Sequence, residues 1–118
     1  MNSDFQTFLG ARLPFAGLAA WGARYPDRTL AQRCFTSWLT PAQVEQAMIQ
    51  LAAAADSFSQ QDLQPVQQCW TFERLRIYLA PRRDGSGLTL FVENRGEVCA
   101  AAEKVLEDFL NAAVLEGL

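Results

Sequence analysis

Residues 66–94 decide the fold: Val66-Gln-Gln-Cys-Trp70-Thr-Phe-Glu-Arg-Leu75-Arg-Ile-Tyr-Leu-Ala80-Pro-Arg-Arg-Asp-Gly85-Ser-Gly-Leu-Thr-Leu90-Phe-Val-Glu-Asn94. Leu75, Ile77 and Leu79 recur with the period of two that marks a strand, and Leu88, Leu90 and Val92 repeat it. Between them Arg83-Asp-Gly-Ser-Gly87 supplies turn chemistry. Val66 to Phe72 reads as a further strand, so the stretch is a three-stranded meander. Opposite those aliphatics lie Arg76, Tyr78 and Ala80, then Thr89, Phe91 and Glu93. Large apolar groups on both faces predict a sheet covered on both sides, and helices would cover it.

The flanking segments supply those helices. Ser3 followed by Gln6 has the form of a capping box, with Phe5, Phe8 and Leu9 at helical spacing and Pro14 as the limit. Leu18 to Tyr25 and Thr29 to Phe35 flank Pro26-Asp27-Arg28 and read as a hairpin. Its alanines are poor strand formers, and Gly22 suggests a bulge or a close backbone approach. Thr40-Pro41-Ala42-Gln43 marks a helix start, and Val44, Ala47, Met48, Leu51, Ala55 and Phe58 form its expected buried stripe. Asn94 is the expected cap of a last helix, with Glu97 near its positive end. That helix carries Val98, Ala101, Ala102, Val105, Leu106, Phe109, Leu110 and Ala113 on one stripe. The order is α-β-β-α-β-β-β-α, an α+β class, in one expected domain over residues 1–118.

Composition narrows the chemistry. Half of the 118 residues are apolar, and no run approaches the ~20 needed to cross a bilayer. Met1-Asn2-Ser3-Asp4 does not resemble a secretory signal, so a cytoplasmic location is expected. Cys34, Cys69 and Cys99 are widely spaced without a C-x-x-C pair, which predicts small buried residues rather than disulfides or a metal site. There is no histidine, so the commonest general base and metal ligand is missing. The net charge of −3 hides a split: Arg12, Arg24, Arg28 and Arg33, then Arg74, Arg76, Arg82, Arg83 and Arg95, make the strand regions basic. Glu45, Asp56 and Asp62, then Glu97, Glu103, Glu107, Asp108 and Glu116, make the helices acidic. Such a split suits solvated faces, self-association or a charged partner.

No catalytic motif interrupts this layout. The sole lysine, Lys104, falls on the polar side of the last helix, and Glu103 and Glu107 read as a wet face. No Gly-x-x-x-x-Gly-Lys loop is present, and Gly85-Ser86-Gly87 joins two strands. Arginines interleave with Trp70, Phe72 and Tyr78 as on single-strand platforms, yet the net acidity opposes nucleic acid as a partner. No catalytic, cofactor-binding or metal-ligating residue is therefore assigned, and neither nucleic acid nor membrane is an expected partner. What remains is a surface. Val66 to Phe72 would be an edge if the meander is ordered with its first strand outermost, with Trp70 and Phe72 pointing the same way.

With Leu18-to-Phe35, Thr40-to-Phe58 and Gln68-to-Asn94 in this order, including Trp70-Thr-Phe-Glu-Arg-Leu-Arg-Ile-Tyr-Leu-Ala-Pro81, the chain resembles the Roadblock family from Phe5 to about Leu110. This dynein-light-chain-like group includes bacterial regulators of small GTPases. The hairpin turn here, Tyr25-Pro-Asp-Arg28, lacks the glycine often found there. The resemblance implies a five-stranded antiparallel sheet, profilin-like, with the central helix on one face and the terminal helices on the other. It implies a homodimer through the third strand and the long helix, which assigns Val66, Gln68, Trp70 and Phe72 with Gln46, Gln50 and Ala53 to a seam. It also implies a non-enzymatic scaffold or regulator without a cofactor, whose partners are itself and a small GTPase or other protein. A secretion-chaperone-like protein that binds an extended client is the alternative of a different class. A small-ligand sensor is a third reading, which requires an apolar cavity between helix and sheet with convergent polar groups.

Overall fold

The computed structural model describes residues 3–111, with side chains from Phe5 onward. The Ser3 capping box, the Met1-to-Asp4 reading, Ala113 and Glu116 lie outside those described positions. The elements are α1 (Ser3–Arg12), β1 (Leu18–Arg24), β2 (Leu30–Cys34), α2 (Pro41–Gln60), β3 (Gln68–Thr71), β4 (Leu75–Pro81), β5 (Gly87–Glu93) and α3 (Gly96–Asn111). The strands form one antiparallel sheet in the order β2-β1-β5-β4-β3. Its two faces carry separate cores. Phe5, Phe8 and Leu9 of α1 and Val98, Ala102, Leu106 and Phe109 of α3 pack on Tyr78, Leu88, Leu90 and Val92. On the other face Val44, Met48, Leu51 and Ala55 of α2 pack on Ala19, Ala20, Ile77, Leu79 and Phe91.

Turn length, not alternation alone, decides which strand residues share a face. Leu79 pairs with Thr89 and Ile77 with Phe91, so odd positions of β4 meet odd positions of β5. The aliphatic row Leu75, Ile77 and Leu79 therefore faces α2, while Leu88, Leu90 and Val92 face α1 and α3. The two rows look alike in the sequence and lie on opposite sides of the sheet.

Local chemistry fixes the helix ends. Thr40 Oγ1 accepts from the Gln43 amide at 3.2 Å, and Gln43 Oε1 accepts from the Thr40 amide at 2.9 Å, the expected capping box. At the far end Leu63 N–H donates to Phe58 O and Asp62 N–H to Ser59 O, with Asp62 at φ 62°. This is a Schellman closure with aspartate in the left-handed position usually filled by glycine. Phe58 consequently sits in the last turn and is 48% exposed, not part of the buried stripe; Ala47 is half-buried. Asn94 does not cap α3. Its side-chain amide donates to Phe72 O at 3.0 Å and tethers the β3–β4 connection, while the first helical bond, Cys99 to Arg95, starts one residue later.

Gly22 marks a close approach: a Cβ there would run into the Met48 thioether, so its absence lets α2 settle on β1. The register shift in β1 lies instead between Leu18 and Ala20. Of the cysteines only Cys99 is buried; Cys34 is intermediate and Cys69 exposed, because β3 and β2 are the outer strands. A basic strand meets an acidic helix of this same chain where Arg24 of β1 pairs with Asp56 of α2 at 3.3 Å; Arg12 falls on α1 rather than with the strands and pairs with Asp108 of α3 at 3.3 Å.

Candidate partner surface

β3 is an edge strand: the meander is ordered with its first strand outermost, the condition on which that expectation rested. It spans only Gln68–Thr71 rather than Val66 to Phe72: in the same register Val66 would fall opposite Pro81, which has no N–H to give, and the β3–β4 connection begins at Phe72. Gln68 and Trp70 lie across from Leu79 and Ile77 and so share the α2 face; Cys69 and Thr71 share the α3 face. Phe72 N–H donates to Leu75 O at 2.7 Å. By the alternation of antiparallel ladders, the peptide groups of Cys69 and Thr71 then point away from β4 and are open to a further strand.

Three large apolar side chains along this edge are uncovered. Trp70 is 37% exposed, Phe72 50% and Val66 66%. On α2, Gln46, Gln50 and Ala53 are exposed on the stripe opposite the buried one, at spacings of four and three. Ile49 beside them is exposed as well, and so are Phe58 and Leu63 at the helix end. Gln68 Nε2 donates to Leu51 O at 3.5 Å and ties β3 to α2. Ile49, Phe58 and Leu63 were not among the seam residues expected from the sequence. The legible signal was Ile49, an isoleucine off the apolar stripe of its own helix. Exposed large apolar residues beside the glutamines of α2 are the kind of side chain that interface cores are made of, with Glu45 as an exposed charge four residues before Ile49.

On the α3 side of the same edge, the Tyr78 hydroxyl donates to Glu103 Oε2 at 2.8 Å and accepts from Arg76 Nη1 at 3.3 Å. Burial pushes the Tyr78 hydroxyl well above its ordinary pKa; Arg76 opposes the rise and Glu103 adds to it. Glu103 is thus a bonding partner of the core rather than only part of a wet face. Arg76 Nε is buried without an acceptor among the described residues. Lys104 pairs with Asp108 at 3.1 Å, which raises the lysine and holds the aspartate low. Among the described residues no group of three or more Cys, Asp or Glu could hold a metal ion, and no helix is long and apolar enough to cross a membrane.

The backbone is similar to that of a Roadblock/LC7 domain from Streptomyces avermitilis, with a TM-score of 0.56 over 84% of this chain and 88% of that one at 11% identity. The fold is of the Roadblock type. Two further structures share it: MglB of Myxococcus xanthus, with a TM-score of 0.56 at 12% identity over 79% of this chain and 74% of that one, and MglB with a tetrameric arrangement, with 0.59 at 14% identity over 92% and 86%. No family model matches the sequence, and no curated protein matches it. The Roadblock likeness is one of fold, carried by strand order and helix placement rather than by shared residues.

Proposed function

We propose that this chain is a non-enzymatic, cofactor-free regulator or scaffold in the cytoplasm that works as a homodimer and takes a small GTPase as its partner. The observation that carries the dimer is the open β3 edge, flanked on one side by Trp70, Phe72 and Val66 and by the outer side of α2 with Gln46, Gln50 and Ala53. Gln68 joins the two parts. Two such edges joined about a two-fold axis would extend the sheet and cover those apolar groups. The tetrameric arrangement of one MglB agrees with a fold that assembles with itself. The GTPase part follows from the Roadblock resemblance.

Sedimentation at micromolar concentration tests the dimer. The expected result is a dimer whose dissociation constant rises at least about 30-fold in Trp70→Arg, the ~2 kcal/mol of an interface hot spot. Arg33→Glu, on the opposite edge strand, leaves it unchanged. A monomeric wild type, or a dimer indifferent to Trp70→Arg, overturns the seam. Native pull-down with mass spectrometry tests the partner, and an unfolded client in place of a folded nucleotide-binding protein removes the GTPase reading.

A further inference from the structure

A cavity of about 220 Å³ opens on the α2 face at the end of the sheet where the β1–β2 and β4–β5 turns meet the last turns of α2. It exists because the groups that would fill it are small: Ala52 and Ala55 on α2 face Gly87 and Thr89 on β5. Met48 and Leu79 complete an apolar floor. The rim is cationic. Arg24, largely buried, and Arg28, exposed, share one carboxylate, Asp56, at 3.3 and 3.4 Å. Those contacts are longer than the ~2.9 Å limit of a tight charge-assisted bond. Two guanidinium groups on one carboxylate leave donors for a second anion.

An independent observation singles out Arg28. It stands at φ 73°, in the left-handed region. The neighbouring turn places Gly85, at φ 91°, in the same structural position, between an aspartate and a hydroxyl residue that bonds to it. The turn geometry is thus served by glycine next door, while an arginine holds the strained position on the rim. Left-handed residues other than glycine cluster at ligand sites, and Arg28, unlike Asp62 at its helix end, stands on the rim of a cavity.

We infer that this cavity is a binding site for a small amphipathic anion, of the class of a short-chain aliphatic carboxylate. The carboxylate is held by Arg28 and Arg24, and the chain lies on Met48, Leu79 and the two alanines. The volume is below the ~300 Å³ at which drug-sized sites begin, so the ligand is short. The site is separate from the β3 edge and does not depend on the partner reading.

Titration calorimetry of the full chain with sodium hexanoate, hexanol and acetate tests it. Hexanoate binds with a dissociation constant of ~1 mM or tighter, and hexanol and acetate bind at least about tenfold more weakly. Arg28→Gln weakens hexanoate about tenfold. Ala52→Leu, which fills the floor, removes binding while the thermal midpoint shows a folded chain. Arg28→Gln changes an exposed side chain and gives up only its surface ion pair with Asp56, so it carries the test alone if Ala52→Leu fails to fold. No hexanoate binding up to ~10 mM, equal binding of hexanol, or full binding by Arg28→Gln overturns the inference.

Discussion

The β1–β2 turn, Tyr25-Pro-Asp-Arg-Thr29, and the β4–β5 turn, Arg82-Arg-Asp-Gly-Ser86, share a hydrogen-bond plan and differ in the residue that bears the strain. In the first, Tyr25 N–H donates to Thr29 O and Arg28 N–H to Tyr25 O; in the second, Arg82 N–H donates to Ser86 O and Gly85 N–H to Arg82 O. Asp27 accepts from the amide and hydroxyl of Thr29 at 3.0 and 2.6 Å. Asp84 accepts from the amide and hydroxyl of Ser86 at 2.9 and 2.6 Å. The comparison separates what a turn needs from what a site keeps. Aspartate, a left-handed residue and a hydroxyl suffice to reverse the chain, and glycine is the low-cost choice for the middle one. Arginine there costs roughly 1–2 kcal/mol by sterics alone.

The aspartates should break the symmetry most. Ser86 is buried, whereas Asp27 and Thr29 are exposed. Asp84→Ala leaves buried donors unanswered and should cost about 2 kcal/mol in chemical denaturation, and Asp27→Ala, whose donors reach water, clearly less. Equal losses would mean that the two turns stand in the same environment.

Exchanging the left-handed residues sharpens the comparison from the other side. A Cβ on Gly85 meets nothing closer than Pro26 O at 3.8 Å, so Gly85→Ala pays for its φ alone, about 1 kcal/mol. Arg28→Gly should raise stability by up to about 1 kcal/mol, less the small share of an exposed ion pair with Asp56. A destabilised Arg28→Gly, measured by the same denaturation midpoints, would place the value of Arg28 in folding rather than in the rim it forms.

The smallest effect is acid sensitivity. The Thr29 hydroxyl, and then the Thr29 amide, hold the Asp27 carboxyl below its ordinary value of 3.8. The folded-state pKa is depressed, so this contribution is fully present above about pH 4 and fades as the pH falls through the folded value. Thermal midpoints from pH 5 to 2 should fall slightly less in Thr29→Val than in the wild type. An identical fall would show that the hydroxyl does not act on Asp27.

How much of this the sequence disclosed follows from how local each cause is. The element order, the Thr40–Gln43 cap and the alternation in β4 and β5 depend on residues a few positions apart, and all were legible. The facing of Leu88, Leu90 and Val92 was not, because it depends on the parity of a turn whose length must be known first. Asn94 looked like a helix cap because it precedes one, and only the fold brings Phe72 O within its reach. The edge position of Trp70 was readable, but the uncovered Phe58 was not, since helical spacing alone puts it with the core. The cavity needs α2, two turns and β5 at once, so no window of sequence contains it.

The interior place of β1, between β2 and β5, has a consequence for how the molecule is made. Its inner edge pairs with β5, so Leu18 waits for Val92, about 70 residues later in synthesis. Until then a half-finished hairpin presents a bare rim to every other nascent chain. Leu18-Ala-Ala-Trp-Gly-Ala-Arg24 is rich in alanine and glycine, residues that join strands reluctantly. A segment that must wait so long benefits from being a poor mate for strangers, and its weakness as a strand is a safeguard during that interval.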